Sequence, residues 1–208
     1  MTTDPYLAQP HPGGPMSVEE YLHLDRNTPD AKYEYLDGVT YLMAGPSEAH
    51  DQISLNTVYA IREHFQSGPC FVSSSSMQVL VGAKSNGKDH YLHPDATVSC
   101  DVADRRRGNT IIRSPRLVVE VLSPSTEKVD RGKKLEAYKA CPTIQEIVLI
   151  DQFMQAIEVY RHDEEDGAIW HRAFYGPGST VELISIDVYI SIDDIYKGID
   201  FDEPLVDE

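Results

Sequence analysis

The chain of 208 residues contains no apolar run approaching the length of a membrane span, which needs about 20 consecutive apolar residues. Cysteine is scarce: Cys70, Cys100 and Cys141 are widely spaced and form no C-x-x-C. An odd, scattered set argues against a disulfide framework or a cysteine-based zinc site, and for a reducing cytoplasm. Positive charge is also in deficit, with 18 Lys and Arg against 34 Asp and Glu and a formal net charge of −16. Residues 1–150 carry 15 basic and 19 acidic side chains, and residues 151–208 only 3 and 15. Such a surface repels phosphate at long range, so any nucleic-acid site must be local. The basic residues available for one are Arg105, Arg106, Arg107, Arg113 and Arg116, then Lys128, Arg131, Lys133 and Lys134. They flank one apolar strand, and they read equally as ordinary solvated charges. Residues 1–15 lack the basic start and apolar stretch of a secretory signal and read as a flexible tail.

What is present suits one domain, residues 16–201, followed by an acidic tail at 202–208. Ser17-Val-Glu-Glu20 is a capping box and opens a helix over 18–26. Asp37-Gly38 between two strand-like runs, 32–36 and 39–43, predicts a hairpin. Ser47 caps a second helix over 48–65. Residues 71–81 read as a strand containing a serine run, 82–89 as a polar loop, and Ala96–Cys100 as a strand after Pro94-Asp95. Leu117-Val-Val-Glu-Val-Leu122 is apolar on both faces of the pleat and reads as a central strand. A helix over 127–140 connects it to a strand at 144–151. A hairpin follows around 163–167, then one or two strands over 181–190 and a short helix near 193–197. That order predicts an α/β fold of the α+β type, a mixed sheet with flanking helices and added hairpins.

Glu120 stands in the middle of that central strand. A carboxylate buried there costs several kcal/mol, by a rough desolvation estimate, unless it is paired or bound to metal. A core Arg or Lys could serve instead of a cation. Asp95, after Pro94, reads alone as a turn residue. On neighbouring strands about 4.8 Å apart, the two carboxylates would repel unless a cation lay between them. Oxygen-only ligands favour Mg²⁺, with Mn²⁺ as a substitute.

Pro94-Asp95, 24 residues, then Glu120-Val-Leu122 resembles the P-D…(D/E)-x-K pattern of restriction-endonuclease-like nucleases. The wider series is more specific. It comprises Tyr33-Glu34-Tyr-Leu-Asp37-Gly38, His50, Val119-Glu120-Val-Leu-Ser123-Pro-Ser-Thr126, Asp130-Arg-Gly-Lys-Lys134-Leu-Glu-Ala-Tyr138 and Glu146-Ile-Val-Leu-Ile-Asp151. In this order, from about Ser17 to Phe201, it is similar to the Uma-two family. The resemblance implies a restriction-endonuclease-like core and a Mg²⁺-dependent endonuclease of DNA. Asp95 and Glu120 would be metal ligands, with a backbone carbonyl near Val121 as a third, and Glu34 an outer carboxylate.

Leu122 stands where the simple pattern has its lysine. The family pattern implies that Lys134, on the following helix, returns an ammonium to the site to orient water or take its proton. Tyr138, four residues on, shares its face, while the adjacent Lys133 points about 100° away. Lys134 reads otherwise as a surface lysine paired with Glu127 or Asp130. Glu34 reads otherwise as a solvent-facing strand residue. His50 and Arg131 are candidates for a substrate phosphate or for supporting a site carboxylate, and a lone His is as readily structural. Ser123, Ser125 and Thr126 have no partnered His and read as strand end and helix cap. The excess negative charge motivates an alternative, a non-catalytic binding or regulatory module on the same scaffold, and another phosphate ester is a third possible substrate. DNA is the expected partner, and a homodimer would supply two sites for two strands.

Overall fold

The capping box closes as the sequence implies, with the Glu20 amide donating to Ser17 Oγ at 3.3 Å and the Ser17 amide to Glu20 Oε2 at 2.7 Å. The computed structural model describes residues 9–10, 14–65, 67–82, 89–163, 165–166 and 169–202. Within the stretch expected to be a tail, strand β1 (Gln9–Pro10) pairs with a later strand. The rest of that tail up to residue 13, and 203–208 of the acidic C-terminal one, lie outside the described residues. The box opens α1 (Val18–Asn27). Asp37 and Gly38 both have positive φ, 55° and 82°, and join β2 (Tyr33–Leu36) to β3 (Val39–Leu42). Ser47 Oγ accepts from the His50 amide at 3.2 Å and starts α2 (Glu48–His64).

The run 71–81 is not one strand. β4 (Phe71–Ser74) and β5 (Gln78–Gly82) are separated at the serine run and belong to different sheets. Consecutive serines bring no apolar side chain to a core and bond local backbone instead: the Ser76 amide donates to Ser74 Oγ at 3.4 Å. The polar loop that follows lies, at 83–88, outside the described residues. Next come β6 (Asp89–Leu92), β7 (Ala96–Ser99), β8 (Ile111–Ile112) and β9 (Pro115–Leu122). The helix expected over 127–140 is a composite of α3 (Glu127–Val129), a π-helix (Asp130–Lys134) and α4 (Leu135–Ala140). It leads to β10 (Glu146–Asp151), then the hairpin β11 (Ile157–His162) and β12 (Trp170–Tyr175). β13 (Thr180–Leu183), β14 (Val188–Ser191) and α5 (Ile192–Ile195) complete the described chain.

The expected single sheet is two. One runs β1-β3-β2-β6-β5-β8 and the other β12-β11-β10-β9-β7-β4, with β13-β14 a separate pair. β9 and β10 are parallel, joined by the crossover helix, while β7 and β4 complete the second sheet antiparallel. β9 is buried on both faces. Leu117, Val119 and Val121 pack with Ile53 and Ile61 of α2 and with Val188 and Ile192. Val118 and Leu122 pack instead with Leu36, Val79 and Leu92 of the first sheet and with Leu135 and Tyr138 of the crossover helix. Glu120, at even parity, therefore points between the first sheet and that helix.

The cysteine expectation is corrected here. Phe71 pairs with Ser99 across β4 and β7, so Cys70 and Cys100 meet at the next rung and form a disulfide. Pairing of distant strands, which spacing alone does not encode, overrode the odd count. Cys141 is free and buried. The inference of a reducing compartment loses this support. No helix among the described residues is long and apolar enough to cross a membrane.

Candidate functional site

The register Ala96↔Val119 between β7 and β9 brings Asp95, one residue before β7, opposite Glu120. Asp95 Oδ2 accepts from the Val121 amide at 2.7 Å, which fixes the carboxylate across the end of β9. Asp95 Oδ1 lies 2.9 Å from His50 Nε2 in the first turn of α2. Burial works against a charge on His50. The hydrogen bond and charge of Asp95, with Asp130 and Asp51, outweigh it and raise the imidazole above its ordinary value.

Lys134 is 4 % exposed. Its ammonium lies 3.0 Å from Glu34 Oε2, 3.2 Å from Asp130 Oδ1 and 3.3 Å from Glu120 Oε1. Glu34, from the first sheet, also accepts from the His93 amide at 2.8 Å through its other oxygen. Tyr138 donates its hydroxyl to Glu120 Oε1. The structure thus gathers Glu34, Glu120, Lys134 and Tyr138 from both sheets and the crossover helix, with Asp95 and His50 at the same end of β9. Arg131 is turned elsewhere, bonding Glu127 at 2.8 Å and Glu158 at 2.6 Å.

Three buried carboxylates share one ammonium, and for Glu120 and Asp130 burial is the larger influence on acidity. Burial raises Glu120 well above the usual carboxylate range, and Asp130, Asp95 and Glu34 add to it, against the opposing pull of Lys134. Burial likewise raises Asp130, with Lys134 opposing. Burial alone would lower Lys134, but Glu120, Glu34 and Asp130 reverse that and hold the ammonium firmly protonated. Burial, with the Glu120 charge, keeps the Tyr138 phenol protonated as well.

Asp130 escaped the sequence reading as a site residue. Its signal was present, since it lies four residues before Lys134 as Tyr138 lies four after. The arginines 105, 106, 107, 113 and 116 precede or begin β9, whereas Glu120 lies near its other end. From Arg116 to Glu120 the strand spans about 13 Å at its usual rise. Two of them are engaged there, Arg105 with the Gly68 carbonyl at 3.3 Å and Arg116 with the Ser185 carbonyl at 3.2 Å.

Among the described residues, no group of three or more His, Cys, Asp and Glu side chains is placed to hold a metal ion. The carboxylates of Glu34, Glu120 and Asp130 converge on the Lys134 nitrogen instead. A cation at Asp95 and Glu120 would need backbone or water oxygens to complete its shell. The donor chemistry nevertheless fits a hard divalent ion. Both side chains offer oxygen only, and the charge of Glu120 is compensated by a lysine that it shares with two other acids.

The chain matches, over residues 18–188, the model of the Uma2 family, described as "Putative restriction endonuclease". It is 36% identical over 186 residues to the uncharacterized protein slr1290 of Synechocystis, covering 89% of this chain and 94% of that one. A second Synechocystis protein, the uncharacterized sll1609, is 25% identical over 147 residues, or 70% of this chain and 80% of the relative. Among solved structures, the crystal structure titled as that of "a putative nuclease belonging to DUF820" from Anabaena variabilis superposes with a TM-score of 0.68 at 23% identity, covering 88% of this chain and 98% of that one. At that identity the likeness establishes the mixed α/β, nuclease-like fold.

Proposed function

The chain belongs to the Uma2 family of restriction-endonuclease-like proteins, and from that premise we propose that it hydrolyses phosphodiester bonds of DNA with Mg²⁺, for which Mn²⁺ can substitute. Asp95 and Glu120 would hold the cation, completed by backbone or water oxygens. Bound there, it supplies positive charge that polarises the scissile phosphate and acidifies water. Lys134 Nζ, kept protonated by its carboxylates, serves as a hydrogen-bond donor that orients water or stabilises charge developing on the phosphate, rather than as a base. Glu34 holds Lys134 from the first sheet, and His50 holds Asp95. Arg131, engaged by two carboxylates, gives little support to a phosphate-binding role. Cutting both strands of a duplex would call for two sites, which a homodimer would supply.

One observation carries this reading: Glu120 is buried in the central strand, opposite Asp95, with its charge only partly matched. The test is nicking of supercoiled plasmid by the wild type and Asp95→Ala, in Mg²⁺ and in Mn²⁺. Wild-type nicking should require the metal and fall by roughly 100-fold or more in the variant, the scale expected when a main electrostatic contribution to catalysis is lost. Equal cleavage by both proteins would assign the activity to a contaminant and overturn the reading. The net charge of −16 favours a second reading, a binding module on the same fold whose partner is a protein. A wild type without nicking under any metal would select it.

A further inference from the structure

An ammonium has three N–H donors, and that of Lys134 faces three carboxylates, one each from Glu34, Glu120 and Asp130. Two of these come from the two sheets. The third is delivered by the π-helix. The Leu135 amide reaches back five residues to the Asp130 carbonyl, which widens the turn by one residue. In a regular α-helix, residues four apart are offset by about 40°, so three in series fan across the surface. The widened turn offsets that drift and keeps Asp130, Lys134 and Tyr138 facing the same interior. Such π segments inside α-helices recur at functional sites.

Asp130 is 1 % exposed. Its Oδ1 lies 3.2 Å from the lysine nitrogen without a well-aligned hydrogen bond. It is therefore a buried acceptor whose only ion-pair contact among the described residues is Lys134. We propose that Asp130 is the positioning residue of the site. It is the third leg of a tripod that fixes where the Lys134 ammonium stands relative to Glu120. With three legs the nitrogen is fixed in space; with two it pivots about the line joining them. This inference deepens the nuclease reading and rests on it for its catalytic meaning, but the geometry can be tested apart from activity.

The test uses the full chain labelled with ¹⁵N-lysine, observed by NMR of the Nζ ammonium groups. In the wild type, Lys134 should give a slowly exchanging signal, assigned by its loss in Lys134→Met. In Asp130→Asn, its protons should exchange at least about tenfold faster, as expected when a buried charged pair is broken. The thermal midpoint and backbone spectrum identify the folded protein. Should Asp130→Asn not fold, Asp130→Glu, which keeps the charge and lengthens the arm, carries the test, with a shifted and faster-exchanging signal expected. An unmoved Lys134 signal in whichever variant folds overturns the proposal. A wild type that lacks nicking activity but shows the Asp130-dependent signal would sink the nuclease reading and leave the tripod standing. Where nicking is present, Asp130→Asn should lower kcat with KM little changed, and a change in KM alone would contradict a positioning role.

Discussion

At the residue scale the site is a charge imbalance held inside a core. Glu120 is 4 % exposed, and burial together with the acids around it pushes its pKa up. A raised carboxyl pKa means that the folded state holds the proton more tightly than the unfolded one. Stability attributable to Glu120 is then fully present at pH below the ordinary carboxylate value of 4.5. It declines as pH rises from there toward the raised folded pKa. Glu120→Gln keeps the size and the acceptor for Tyr138 but removes one excess charge. It should raise the melting temperature at neutral pH by a few degrees, on the order of 1–2 kcal/mol, while reducing nicking. The gain should shrink as the pH is lowered toward 4.5. A lower melting temperature at pH 7 would mean that the pair with Lys134 outweighs the burial of surplus charge. Stability gained with activity lost is the pattern expected of a residue retained for chemistry.

At the element scale two features shape the site from outside it. The disulfide Cys70–Cys100 ties β4 to β7, the strand that begins one residue after Asp95. It closes a loop with a sequence separation of 30, for which chain entropy gives about 3–4 kcal/mol of stabilisation. Denaturant unfolding with and without reductant should differ by about that amount. No difference would show that β-pairing alone holds the two strands in place. The second feature is the π-helix, and it marks where the sequence stopped being legible. The capping box, the Asp-Gly hairpin and the central strand are local patterns, and each formed where its residues predicted. The position of Lys134 was readable too, because Lys134 and Tyr138 lie four residues apart on one helix. The serine run hid the division between β4 and β5, since its consequence is a change of sheet. The i,i+4 spacing offered Asp130 as a partner of Lys134, but not the widened turn that carries it into the buried cluster, and the disulfide was hidden because strand register is a tertiary fact.

At the scale of the whole molecule, the fold class follows from the order of helices and strands, and family membership accounts for the same arrangement over residues 18–188. The partition into two sheets positions the site: Glu34 arrives from one, Asp95 and Glu120 from the other, and the crossover helix lays Lys134 between them. The net charge of −16 constrains how the central claim can be tested. A protein so acidic attracts divalent cations over much of its surface, so a rise in melting temperature with Mg²⁺ would not by itself locate a site. Anomalous diffraction from crystals soaked in Mn²⁺ does. The account predicts a peak within coordination distance of oxygens from both Asp95 and Glu120, at about 2.0–2.2 Å for a small hard dication, with the Lys134 ammonium still held by Glu34 and Asp130. Manganese found only at other surface carboxylates would contradict it.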